Sequence, residues 1–224
     1  MDTTMVKRLV LKDWYFQRTA IIIYILAGVL AIGLLKAGSE GLFYAGSILL
    51  ITILITVGIH LTFATVVAER TEHTLPFVMS LPISTTEYTT AKILANVLIF
   101  LAPWITLVGG TVLIIRLSAE IPDGLIPFVI LIFTQILVGY CLILAIALVS
   151  ESTGWTVGAL VAGNLSFQFF MYAVSHMPAI AQDMKGATVS WSQPAVLVLA
   201  GQVVAIGVML GLTFFLQGRK TDFI

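Results

Sequence analysis

Residues 125–149 read LIPFVILIFTQILVGYCLILAIALV, a run of 25 without one charged side chain. A helix needs about 20 apolar residues to cross the roughly 30 Å hydrocarbon core of a bilayer, at about 1.5 Å of rise per residue. This stretch is therefore long enough to span. It is also too long and too continuously apolar for a barrel strand, which would be short and alternating.

Working outward, five more segments qualify, and the six together cover roughly 19–37, 43–68, 93–115, 125–149, 155–175 and 195–217. The chain has 224 residues, 59% hydrophobic and 10% charged, whereas a soluble domain carries about 25% charged. The expected fold class is an all-α polytopic membrane protein with six transmembrane helices. The first apolar run follows about 18 polar and amphipathic residues and has no convincing small-residue cleavage site, so it is expected to stay in the mature chain. Cys141, the single cysteine, falls inside the fourth span, which excludes an intrachain disulfide and a cysteine-based metal cluster.

Six spans put both ends of the chain on one side. Basic residues on that side are Lys7, Arg8, Lys12, Arg18, Arg70, Lys92, Arg219 and Lys220, against Lys36, Arg116 and Lys185 on the other. Positive charge is retained on the cytoplasmic side, so both termini are expected in the cytoplasm. Two cytoplasmic pieces then have substance. The N-terminal MVKRLVLKDWYFQR divides Met5, Val6, Leu9, Val10 and Trp14 from Lys7, Arg8, Lys12 and Arg18 at helical spacing. That division predicts an amphipathic interfacial helix over residues 1–18 lying along the inner leaflet, with Asp13 as an intruder on its apolar side.

The second piece, ERTEHTLPFVMSLPISTTEYTTAK from Glu69 to Lys92, interrupts two apolar runs with three glutamates, a histidine and two prolines. Pro76 suits a first helical turn and Pro82 ends or redirects it. Ser84 resembles an N-cap, with Glu87 completing a capping box for a helix running through Lys92 into the third span. Phe77, Val78, Met79 and Leu81 make an apolar knuckle in an aqueous loop, which marks a docking surface. Glu69, Arg70 and Lys92 are expected as membrane-boundary charges, with Glu69 and Arg70 pairing with the N-terminal helix or with Lys92, or else serving as simple interface anchors.

These residues closely resemble the cytoplasmic loop of type-2 ABC transporter permeases, whose pattern is E-R, then G-T-L, L-P-x-S, E-Y and K. Glu69, Arg70, Thr74, Leu75, Ser80, Leu81, Pro82, Ser84, Glu87, Tyr88 and Lys92 fall on that pattern, and His73 replaces its glycine. The resemblance implies a single permease domain, 1–224, with a coupling helix in the 69–92 loop. It implies that Glu72, Thr74, Leu75, Pro76, Phe77, Met79, Leu81, Pro82 and Ser84 meet a separate ABC ATPase subunit, present in two copies, beside a second permease copy or a paralogue. The sequence contains no G-x-x-x-x-G-K-[ST] phosphate loop. The chain is therefore expected to be no enzyme and to hold no cofactor of its own, with ATP and Mg bound by the partner. The expected place is the cytoplasmic membrane of a prokaryote, with the lipid bilayer and no nucleic acid as surroundings.

Polar residues inside spans are costly and usually face protein or a cavity. Thr52, Thr56 and His60 recur every fourth residue, and Asn164, Gln168 and Ser175 align on the fifth span, with His176 at the outer boundary. In the resembled family the second and fifth spans line the path between protomers, so Thr52, Thr56, His60, Asn164 and Gln168 are pathway candidates, with Ile132 as a residue expected to face lipid. Threonine bonding its own helix and Asn or Gln gluing helices together are open alternatives. Gln135 and Gln202 are expected to pack helices. The spans carry no central charge, no paired aspartates and no H-E-x-x-H, which argues against ion-coupled transport and intramembrane proteolysis. An uncharged path suits export of hydrophobic or amphipathic cargo such as a peptide, drug or lipid. The rival reading is a passive channel or membrane scaffold outside the ABC class.

Overall fold

The structure is a computed structural model that describes residues 3–37, 39–72 and 85–219. Its long helices are α1 (Thr3–Leu35), α2 (Glu40–Thr71), α3 (Thr85–Leu117), α4 (Leu125–Ser150), α5 (Thr153–Ser175) and α7 (Gln193–Gly218), with a short α6 (Pro178–Asp183) before the last. Six of these are long and apolar enough to cross a membrane. Helix is the required form, because a lipid-embedded backbone must satisfy its own N–H and C=O groups. No strand occurs among the described residues. The chain is an all-α polytopic membrane protein.

The helices outrun the apolar segments at one end only. α1 begins at Thr3, α2 continues to Thr71 and α3 starts at Thr85, so all three project beyond the hydrocarbon at the terminal end, the side where the chain begins and ends. The amphipathic N-terminal stretch is thus not a separate in-plane helix. It is one 33-residue helix with the first span, about 50 Å long, and its inward residues Val6, Asp13 and Gln17 are buried against protein.

α3 starts one residue after Ser84, where the capping box places it. Ser84 itself lies outside the described residues. So do His73, Thr74, Leu75, Pro76, Phe77, Met79, Leu81 and Pro82, and with them the proposed coupling helix.

α1, α2 and α3 form one packed group, α4, α5 and α7 another, and α4 joins them through α2 and α3. α4 is the central post: half of its most apolar window is buried, against 11% for α7. The main core gathers Leu50, Leu54, Val57 and Leu61 from α2, Ile99 and Phe100 from α3, and Tyr140 and Leu144 from α4. Ile132 belongs to this core at 4% exposure, so it does not face lipid. Gly46 permits the α1–α2 crossing, because a Cβ there would sit 2.7 Å from the carbonyl oxygen of Ala31.

Candidate functional site

The terminal extensions of α1, α2 and α3 meet in a buried cluster of charges. Lys92 Nζ donates to Asp13 Oδ2 and to Glu69 Oε1, both at 2.8 Å. Lys12 Nζ donates to the same Glu69 oxygen at 2.7 Å, and the Tyr88 hydroxyl donates to Glu69 Oε2 at 2.9 Å. Among the described residues two lysines face two carboxylates here, and Glu69 is the hub. Exposure of the Lys92, Asp13 and Glu69 side chains is 3%, 6% and 11%, whereas that of Lys12 is 37%. Glu69 therefore pairs both with Lys92 and with α1. The Asp13 that breaks the apolar pattern of α1 is a buried partner of a lysine 79 residues away.

Arg70 leaves this cluster and reaches α4. Its Nη1 donates to Ala147 O at 2.6 Å and its Nη2 to Leu148 O at 3.2 Å. These are among the last carbonyls of α4, groups without intrahelical partners that a cation also favours electrostatically. Gln217, near the end of α7, donates to the same Leu148 oxygen. The two residues that lead into the 73–84 segment thus tie α2 to every long helix but α5: Glu69 to α1 and α3, and Arg70 to the carbonyl end that α4 shares with α7.

A second polar chain lies one to two turns deeper. Asn96 Nδ2 donates to Lys92 O at 3.0 Å, and Asn96 Oδ1 lies 2.9 Å from Thr65 Oγ1 and 3.3 Å from the Tyr140 hydroxyl. Thr65 sits in a π-helical turn, Phe63–Val67. Such a turn bonds i to i+5 and holds one extra residue, offsetting the helix beyond it by about 100° from an uninterrupted course. With it, Thr65 faces Asn96 while Glu69 faces Lys92. The Tyr140 ring stacks on Phe100 at 4.1 Å, and Gly58 leaves the space for that stack, since a Cβ there would lie 2.9 Å from the Tyr140 ring. Sequence reasoning did not single out Asp13, Thr65, Asn96 or Tyr140 as site residues. The available signal was helical spacing, since Asn96 follows Lys92 by four residues.

The pathway candidates do not form one surface within the chain. Thr52 and Thr56 are exposed and spend their hydroxyls on Ile48 O and Thr52 O of their own helix. His60 turns toward α1, with Nε2 3.0 Å from Gln17 Oε1 and its ring edge-on to Tyr24 at 5.8 Å. Asn164 bonds Leu160 O and lines a narrow groove between α2, α4 and α5, with Leu54, Gly58, Tyr140 and Phe167. Gln168 is exposed. Gln202 donates to Leu131 O and to Gln135 Oε1, both at 3.0 Å, which makes the pair an α4–α7 packing contact. Glu72 ends the described part of α2 and is exposed.

At the far end the connections are tied down. Arg116 pairs with Asp123 at 2.9 Å, and Gly124 N donates to Gly186 O at 2.9 Å. The Ser190 hydroxyl, 2.5 Å from Asp183 Oδ1, donates to it and holds that carboxyl below the usual carboxylate range.

Compared with protein-family models, with curated proteins and with solved structures, the chain matches none.

Proposed function

We propose that this chain is the membrane-spanning permease subunit of an ATP-driven ABC exporter, working as a dimer with separate ATPase subunits. The observation that carries the reading is the charge cluster at the two roots of the 73–84 segment. Glu69 precedes that segment, Lys92 comes after it, and both are held to α1 through Lys12 and Asp13. A load applied to the segment passes directly into three helices, and through Arg70 into a fourth. This is what a subunit that converts ATPase closure into helix tilt requires.

The segment's own residues fit the same role. Phe77, Met79 and Leu81 are apolar, and Glu72 just before the segment is charged, a combination that lives in water and docks on protein. In this account both termini and the 69–92 loop are cytoplasmic in a prokaryotic plasma membrane, and the partner holds ATP and Mg. The cargo is hydrophobic or amphipathic, a peptide, drug or lipid, because the surfaces at bilayer depth present threonine and amide groups and no charge.

The test is affinity purification of the tagged chain from its native membranes. The expected result is a copurifying subunit with a phosphate-loop sequence and ATPase activity, lost when Phe77 and Leu81 are both replaced by Glu while insertion is unchanged. A burial-opposing charge in the knuckle acts without touching a span. Purification free of any ATPase, or an association indifferent to the double substitution, would overturn the reading.

A further inference from the structure

A second concavity opens at the terminal end, between α4 and α7, on the side away from the charge cluster. It encloses about 730 Å³, its open mouth included, and is walled by Ala145, Ile146 and Val149 of α4 and Met209, Leu212 and Leu216 of α7. Trp155, at the start of α5, closes one side. Ser150 and Thr213 are the only hydroxyl-bearing residues of the lining, and both spend their hydrogens on their own helices, on Ile146 O and Met209 O at 2.7 Å. Apart from the indole N–H of the exposed Trp155, the lining therefore offers hydrocarbon.

Depth identifies the partner of such a wall. From Met209 to Leu216 the groove runs about 10 Å along α7, and it ends where α4 and α7 end. It lies within one leaflet, at the level of acyl chains near the headgroups, and the exposed Trp155 stands at the interfacial level that tryptophan favours. Three residues beyond Leu216, just past the end of α7, Arg219 is exposed, its guanidinium 4.4 Å over the Phe215 ring. An apolar slot of acyl-chain depth with an exposed arginine at the same end of α7 is complementary to a phospholipid, whose phosphate sits directly above its chains.

We propose that this groove binds one acyl chain of an anionic phospholipid, with the headgroup on Arg219. The site is separate from the 69–92 loop and stands whether or not the exporter reading holds.

The experiment uses the full chain with Trp155 as its sole tryptophan, in phosphatidylcholine vesicles containing a minor fraction of phosphatidylglycerol brominated on its chains. A single cation at the surface enriches an anionic lipid about fivefold. Quenching of Trp155 should thus exceed the lipid's bulk share by about that factor. It should fall to the bulk share in Arg219→Gln, which removes the headgroup contact, and in Ala145→Phe, which fills the groove and leaves the cation. Wild-type quenching at the bulk share, or unchanged in both variants, would overturn the proposal. So would Trp155 that stays unquenched in fully brominated vesicles, because protein would then cover the groove.

Discussion

Replacing Lys92 by Met keeps the length and apolar stem of the side chain and deletes only its charge. The lysine holds Asp13 at hydrogen-bond distance, 2.8 Å, and the next cation, Lys12, stands 3.5 Å away and is 37% exposed. Glu69 keeps Lys12 and the Tyr88 hydroxyl. The loss therefore falls on Asp13, a carboxylate left in a site where its side chain is 6% exposed. Breaking a buried pair from one side costs about 3–5 kcal/mol. Lys12→Met touches a half-exposed partner and should cost no more than about 1 kcal/mol. The chain contains its own reporter, since Cys141 is its only cysteine and is fully buried in the core. Maleimide labelling of Cys141 in mixed micelles then tracks opening of the bundle. Lys92→Met should accelerate it by roughly two to three and a half orders of magnitude. Adding Asp13→Asn should recover about 1–3 kcal/mol of that loss, as coupled sites do. Labelling within about threefold of wild type, or strict additivity of the two substitutions, would refute the assignment of the cluster as a buried, mutually dependent pair.

Gly58→Ala should destabilise the bundle by about 1–3 kcal/mol, because its methyl would enter the stacked Tyr140–Phe100 pair; the same Cys141 labelling reads it. In the far-end loop, Asp183 accepts the Ser190 hydroxyl and its carboxyl is held low, so the contact is present at neutral pH and lost as pH falls through that lowered pKa. With Trp191 as sole tryptophan, its emission should change in that acid range, below the ordinary carboxylate midpoint, and Asp183→Asn should abolish the transition. If two copies meet along α2 and α5, cysteines at the exposed Thr56 and Gln168, in a Cys141→Ser background, should cross-link between copies. A cysteine at His60, which faces Gln17 and Tyr24, should not.

The six spans were legible because a bilayer core leaves a chain one option, and segments such as 125–149 match the helix Leu125–Ser150 nearly residue for residue. Helix ends were less legible where the hydropathy signal stops and backbone bonding does not. α1 continues outward to Thr3 because Asp13 and Lys12 find partners on α2 and α3, which no local pattern in 1–18 displays. Facing was the least legible property. Lipid and protein core are both apolar, so Ile132 gave no sign that it is buried. The threonines of α2 read as a polar surface in the sequence, whereas their hydroxyls bond the preceding turn. The pairing of Glu69 with Lys92 could be anticipated from charges flanking one loop; Asn96 meeting Thr65 and Tyr140 depends on a π-helical turn that the sequence does not announce.

In the proposed exporter, the 69–92 loop would pass work from an ATPase to the helices. This transfer is tested most directly by the ATPase rate of the copurified complex in vesicles, measured across a panel of amphipathic peptides, drugs and lipids. One cargo class should accelerate hydrolysis in the wild-type complex, and Lys92→Met, which loosens the loop's roots without touching the Phe77–Leu81 knuckle, should retain the ATPase but lose the acceleration. An acceleration undiminished in Lys92→Met, with the Asp13 contact shown to be broken, would contradict it.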